Sequence, residues 1–221
     1  MAKSIYPRSW GKLFERYCKK YLPDRKKEIC LRANQEYQKL LKQMPDVGGK
    51  SNPMADTIGI WFTMVAFYEA SDHVIDGKAF QIIHVWHVDK LRFLGKIIDA
   101  NKTQLPFRLF ESVYKRYEKN LQKHRARGEW KDSWDIEMNP KGHQSGVSFD
   151  LIGCPIAIHA KQNGYEELLP FICATDHSLA HVMHAKLIRH NTKILGGNRC
   201  DYWYVGDRST DAEKYAGLKE I

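Results

Sequence analysis

Residues able to do chemistry crowd into one stretch of the chain, Phe149 to Tyr204. Cys173-x-x-Asp176 and the adjacent pair Cys200-Asp201 each set a thiol near a carboxylate. Between them runs Leu187-x-Arg189-x-x-Thr192, closed by a Gly196-Gly197 turn. A thiol becomes a nucleophile when a nearby cation lowers its pKa, and Arg199, Arg189 or a histidine could supply one. A carboxylate withdrawn from water moves the other way, toward values useful in acid–base chemistry. On a helical count Asp176 sits near the apolar side, beside Met183. It therefore serves such a role or N-caps a helix that starts at His177. Cys200 is either presented at a sheet end or packed as an inert buried thiol. Cys18, Cys30 and Cys154 read as structural.

Histidines give a second candidate. Cys173, His177, His181 and His184 fall at i, i+4, i+8 and i+11, one helix face if the helix reaches back to Cys173. His-x-x-x-His is a metal-ligand spacing. Leu179, Val182 and Met183 define the opposite, apolar face, so these histidines point to solvent or into a pocket. A divalent metal at His177/His181/His184 is the lesser reading, and no cofactor or metal is expected. His84 and His87 share a face with Phe80, Leu91 and Leu94 and read as core histidines bonded to a carbonyl. The sequence has no Walker loop, no dinucleotide fingerprint and no Gly-x-Ser-x-Gly elbow.

The elements that must position these groups are legible in outline. Residues 7–20 and 24–44 predict two helices split by Pro23, the second capped by Asp24. After the Pro45–Gly49 break, Met54 to Ser71 predicts a buried helix. The apolar stretch Phe80 to Ile98 predicts another element buried on all sides. Pro106 opens a helix that runs into the basic region before Gly128. Trp134–Met138 and Gly146–Ile152 read as strands. Helices follow over Pro155–Gln162 and from Glu166 or Ser178 to His184. Lys186–Ile194 and Asp201–Val205 then predict two strands joined by a Gly196–Arg199 hairpin loop. The class is α+β: a helical N-terminal half, then a small antiparallel sheet in β-β-α-α-β-β order. One domain is expected over 1–221: mainly helical over 1–130, sheet and helices over 131–206, and a tail over 207–221.

Composition narrows the partners. Lys and Arg number 35 against 26 Asp and Glu, a net charge of +9. That excess fits a solvated basic surface or acidic partners. The basic runs lack the aromatic interleaving of a single-strand binder, so nucleic acid is not expected. Five widely spaced cysteines and an opening MAKSIYPRSW without an apolar core predict free thiols in a cytoplasmic protein. No run is long enough for a membrane span.

The ordered set Phe149-Asp150, Cys154, Gly164-x-x-Glu167-Leu168-x-Pro170-x-x-Cys173-x-x-Asp176, Leu187-x-Arg189-x-x-Thr192, Gly196, Cys200-Asp201-x-x-Tyr204 resembles the L-2-amino-thiazoline-4-carboxylic acid hydrolase family. The Asp46–Gly49 turn and the apolar helix after it are similar to that family's N-terminal half. The chain departs from the pattern at Tyr202, where the family has Phe, and at Trp203-Tyr204, which replaces the family's Arg-aromatic ending. The resemblance implies water attack on the amidine-like carbon of a thiazoline ring, whose sulfur leaves as a thiolate. It casts Asp176 as acid–base group or amidine partner and Cys173 or Cys200 as candidate nucleophile, with Asp201 orienting within the catalytic set. Arg189 would clamp a substrate carboxylate and Thr192 would orient; His177, on a histidine face that is not part of the family's pattern, is a further substrate-binding candidate. The expected partner is thus a small molecule bearing a carboxylate, the oligomeric state being left open. An alternative from another class is a non-catalytic small-ligand or thiol/metal-sensing domain of the vinyl-4-reductase type. Its late Cys, Gly turn and second Cys before an aromatic strand are similar.

Overall fold

The computed structural model describes residues 6–220. Residues 1–5, half of the opening read for a signal peptide, lie outside them. The N-terminal half is helical: α1 (Arg8–Tyr21), α2 (Lys26–Leu41), α3 (Ala55–Ala70), α4 (Gly77–Leu91) and α5 (Leu105–Ala126). Strands β1 (Ile136–Met138), β2 (Val147–Leu151), β3 (Ala185–Ile188) and β4 (Cys200–Gly206) form one antiparallel sheet in the order β1-β2-β4-β3. Helices α6 (Pro155–Asn163), α7 (Leu169–Cys173) and α8 (Thr175–Val182) lie between β2 and β3, and α9 (Thr210–Lys214) follows β4. The α+β class and the antiparallel sheet agree with the expectation, while three helices rather than two separate β2 from β3 and α9 falls in the stretch expected as a tail.

Helix α3 anchors the core because it is apolar on every side, and Trp61, Phe62, Ala66 and Phe67 retain no exposed surface. Removing one of these rings, as in Phe62→Ala, would cost about 3–5 kcal/mol through lost burial and the cavity left behind. The next apolar stretch behaves differently from the expectation. Phe80, Ile83 and His84 are buried, but Ile82 and Val85 are exposed, as are Phe93 and Ile97 beyond the helix. Helix α4 packs one stripe on α1 and touches α7 and α8, so its remaining face meets water. His84 stacks on Trp10 and Phe80 and finds no hydrogen-bond partner among the described residues, so the carbonyl bond expected for it is not made. Asp24 does not cap α2 either: the N-cap is Arg25, and Glu28 supplies the first-turn charge instead.

Two further differences matter for the site. The helix expected to run to His184 breaks at Ala174 and ends at Val182, leaving His184 at φ 53° outside it. The long strand expected over Lys186–Ile194 stops at Ile188. There the backbone N–H groups of His190 and Asn191 turn to Asp201 Oδ1, at 2.9 and 2.7 Å, rather than to a neighbouring strand. The β3–β4 connection is therefore an eleven-residue loop, Arg189–Arg199, that includes a 3₁₀ turn at Lys193–Leu195, not a tight hairpin.

Strand alternation gives the sheet two unlike faces. Val147, Phe149 and Leu151 of β2 and Cys200, Tyr202 and Tyr204 of β4 line a cavity on the front. Asp201, Trp203 and Val205 of β4 point to the back, where Ile188, Trp203 and Val205 pack against Ala212 of α9. Gly146, at φ 69°, lets β2 begin so close to β4 that an added Cβ would lie 1.9 Å from the Tyr204 carbonyl oxygen.

Candidate functional site

The front-face cavity has a volume of about 350 Å³. Its floor is the sheet; α5 contributes Phe107, Phe110 and Tyr114, and α7 and α8 contribute Cys173, Asp176 and Leu179. The α5 residues recur at i, i+3 and i+7, one helix face, which is how a long basic helix brings three rings to one wall. A row of near-parallel rings crosses from that helix to β4. Phe110–Tyr114 centroids lie 4.2 Å apart, Tyr114–Phe149 5.3 Å and Phe149–Tyr202 4.7 Å.

Asp176 is the carboxylate at the end of this row. Its Oδ2 accepts a bond from Arg189 Nη1 at 3.1 Å and another from the Tyr202 hydroxyl at 3.2 Å. Arg189 Nη2 donates to the Cys173 carbonyl at 3.1 Å, and the guanidinium lies 5.2 Å from the Tyr202 ring centroid. The Arg189 side chain has no exposed surface, whereas Asp176 keeps 32% of its own. Asp176 lines the cavity, so it is reachable by a ligand although protein surrounds it. Burial pushes its pKa above the ordinary carboxylate value, against the opposing Arg189 charge and the two hydrogen bonds. Asp176 lies inside the first turn of α8 and does not cap it.

Cys173 and Cys200 join Asp176 on the cavity wall, and so does Cys154, which the sequence marked as structural. Burial pushes all three thiols above the usual cysteine value. For Cys200 this outweighs the Lys193 backbone N–H donated to its Sγ at 3.3 Å and the nearby Arg189 charge. Arg199 cannot help, since it pairs with Asp150 at 2.9 Å. Tyr114, Tyr202 and Tyr204 are likewise held as neutral phenols, by burial and then by the Asp176 charge.

The remaining candidates lie off the cavity. Asp201 faces the back of the sheet, one residue out of phase with Cys200, and receives Lys141 Nζ at 2.7 Å. Desolvation acts to raise its pKa, but Lys141 and the His190 and Asn191 N–H groups outweigh it and hold the carboxyl below the ordinary value. Thr192 is buried, its hydroxyl without a hydrogen-bond partner among the described residues. His177 is buried and does not line the cavity. The histidine face dissolves: His181 pairs with Glu220 at 3.0 Å, while His184 Nε2 lies 3.1 Å from the Gly95 carbonyl. Among the described residues no three His, Cys, Asp or Glu side chains converge as a metal ion would require. Sequence reading missed Phe110 and Tyr114, and quoted Phe149 only as part of the family pattern, without a role. The aromatic spacing along α5 was the available signal.

The α+β fold thus carries a polar-ended, aromatic-walled cavity of the size and make-up of small-molecule pockets. Residues 60–204 match the family model described as L-2-amino-thiazoline-4-carboxylic acid hydrolase, and the chain belongs to that family. No curated protein and no solved structure matches the chain. Among the described residues no helix is long and apolar enough to cross a membrane.

Proposed function

We propose that this protein is a hydrolase that opens a small, cyclic, amidine-like heterocycle, with Asp176 as its acid–base group. The observation carrying this reading is the one wall carboxylate among the described residues, raised in pKa by burial and oriented by Arg189 and Tyr202. Both orienting bonds fall on Oδ2, so Oδ1 is the atom left to meet a substrate. An amidine presents its N–H groups in a plane that matches a carboxylate. Asp176 would take a proton from water as the oxygen adds to the amidine carbon and the C=N electrons move to nitrogen. Collapse of the adduct would then break the ring carbon–sulfur bond, and the departing sulfur would receive the proton from Asp176. Where a carbon–nitrogen bond breaks instead, the same proton goes to nitrogen.

Water fits the nucleophile's part better than Cys173 or Cys200, because a thiol with a raised pKa holds little thiolate at neutral pH. Arg189 acts through Asp176 as a positioning residue. Asp201, Thr192 and His177 would hold the surrounding loop and helix in place rather than touch substrate. The largely apolar wall favours one other reading, a non-catalytic domain that binds and keeps a small ligand. Incubation with a panel of 2-aminothiazolines, thiohydantoins and cyclic amidines, followed for thiol release, separates the two. Turnover that disappears in Asp176→Asn supports the hydrolase; tight binding without turnover supports the ligand-binding domain.

A further inference from the structure

We propose that Tyr114 and Tyr204 are the hydrogen-bond donors that meet the amidine nitrogen of the substrate as water adds to the neighbouring carbon. This deepens the hydrolase reading and rests on it for the reaction. The need for a donor is chemical. As oxygen bonds to the amidine carbon, one proton of the water passes to Asp176 and the C=N electron pair moves to nitrogen. The second water proton reaches that nitrogen only when the adduct's hydroxyl becomes a carbonyl and the carbon–sulfur bond breaks. Until then the nitrogen holds the displaced pair, and a fixed donor aimed at it lowers the barrier. Asp176 is at that moment holding the proton destined for sulfur. Arg189 is enclosed in the wall and bonded to Asp176 and the Cys173 carbonyl.

Two phenols on the cavity wall fit the part. Tyr114 comes from α5 and Tyr204 from β4, and both line the cavity with Asp176. Tyrosine hydroxyls withdrawn from water ordinarily find a protein partner, and the neighbouring ones do. Tyr202 donates to Asp176 at 3.2 Å, and Tyr117, one turn along α5 from Tyr114, donates to the Trp134 carbonyl at 2.8 Å. The hydroxyls of Tyr114 and Tyr204 have no hydrogen-bond partner among the described residues. Neither is sealed in the core, since both residues are half-buried and border the cavity. Their rings are held in place: the Phe110 centroid lies 4.2 Å from that of Tyr114 and 5.8 Å from that of Tyr204, and Phe149 lies 5.3 and 6.3 Å from the same two. Donors fixed in this way need no reorganisation during the reaction. Burial, and then the nearby Asp176 charge, keeps both phenols protonated, so that they donate hydrogen bonds and retain their protons throughout.

The test follows thiol release on the full chain with 2-amino-2-thiazoline and its 4-carboxylate, comparing Tyr114→Phe and Tyr204→Phe with the unmodified protein. Each variant should lower kcat about a hundredfold, the scale for losing one donor to developing charge, with KM changed by less than about threefold. The pH profile should keep its shape, which separates loss of a donor to substrate from a disturbed Asp176. Neither variant should shift the denaturation midpoint, because the hydroxyls have no protein bond to lose. A lowered midpoint overturns the assignment by tying the hydroxyl into the fold. Unchanged kcat in either variant overturns the pair while leaving the hydrolase standing. So does a rise in KM at constant kcat, which would make the phenols binders of the substrate's ground state. Absence of thiol release from the unmodified protein removes the hydrolase reading, and this assignment with it.

Discussion

Asp176, above the front of the sheet on α8, and Asp201, on the back of β4, are set to opposite purposes. On the front, Asp176 looks into a cavity walled by rings and neutral thiols, and burial lifts its pKa despite Arg189. On the back, Asp201 is covered by donors, Lys141 and two backbone N–H groups, and is held below the ordinary value. Burial alone does not decide such a group; the number of donors aimed at it does. A carboxylate with every acceptor position filled is a structural anchor. One left facing empty space can exchange a proton with a ligand. The sharpest way to break this comparison is Asp176→Asn, which keeps an acceptor for Arg189 and Tyr202 but removes the base. It should lower kcat by about 10²–10⁴-fold, the usual contribution of a positioned acid–base group. In the unmodified protein kcat/KM should rise with pH along a limb lying above the ordinary carboxylate range, and the variant should lack that limb. Unchanged turnover would remove Asp176 from the chemistry.

Asp201→Asn probes the other face, and its effect should appear in stability rather than in turnover. The amide cannot replace a charge that receives Lys141 and two N–H groups, so a loss of about 1.5–3 kcal/mol is expected in chemical denaturation at pH 7. Because the folded pKa of Asp201 is lowered, its contribution is complete above the unfolded carboxylate value, about 3.9, and vanishes as pH falls through the folded value. The variant should therefore lose less stability than the unmodified protein on acidification below about pH 4. Asp176 carries the opposite sign: its stabilising contribution is complete in acid and is lost as pH rises through its raised folded value. A large fall in kcat for Asp201→Asn, with stability preserved, would reverse the roles given to the two faces.

Part of this contrast was within reach of the chain alone. The period-2 rule places adjacent strand residues on opposite faces, but the last strand was expected to begin at Asp201, so Cys200 and Asp201 stayed in one catalytic set until β4 proved to start at Cys200. The helical wheel set Asp176 near the apolar side and left an N-cap role open. The fate of Arg189 was not legible, because its partner sits thirteen residues away on another element and only packing brings them together. The overlong strand to Ile194 has the same origin: β-prone side chains say nothing of Asp201 capturing the N–H groups of His190 and Asn191. The aromatic row escaped because each ring looks like ordinary core in its own element. It becomes a wall only when α5 crosses the sheet.

Tyr202→Phe sharpens the comparison with a smaller effect. Its hydroxyl donates to Asp176 at 3.2 Å and favours the ionised carboxylate, so removing it should move the acid limb of kcat/KM to higher pH. One hydrogen bond of this kind contributes about 0.5–1.5 kcal/mol net, which corresponds to roughly a 2–10-fold change in rate. The ring itself remains, and with it the stack on Phe149 and the contact with Arg189. A limb that stays in place would mean that the Tyr202 bond does not tune the carboxyl.

The smallest effect is expected where the sequence first drew attention, at the cysteines. If the front face works through one carboxylate, Cys173→Ser and Cys200→Ser should each leave kcat within about threefold, since neither thiol need become a thiolate. Serine at 200 also keeps an acceptor for the Lys193 N–H, so the loop that closes the cavity retains its tie. Alkylation by iodoacetamide should be slow at pH 7 and quicken as pH rises toward the raised thiol pKa values, with Cys154 following the same course. Loss of about a thousandfold in either serine variant, together with rapid alkylation at neutral pH, would instead mark a covalent mechanism. The cavity would then hold a thiolate that burial alone argues against. Asp176 would become the group that orients it.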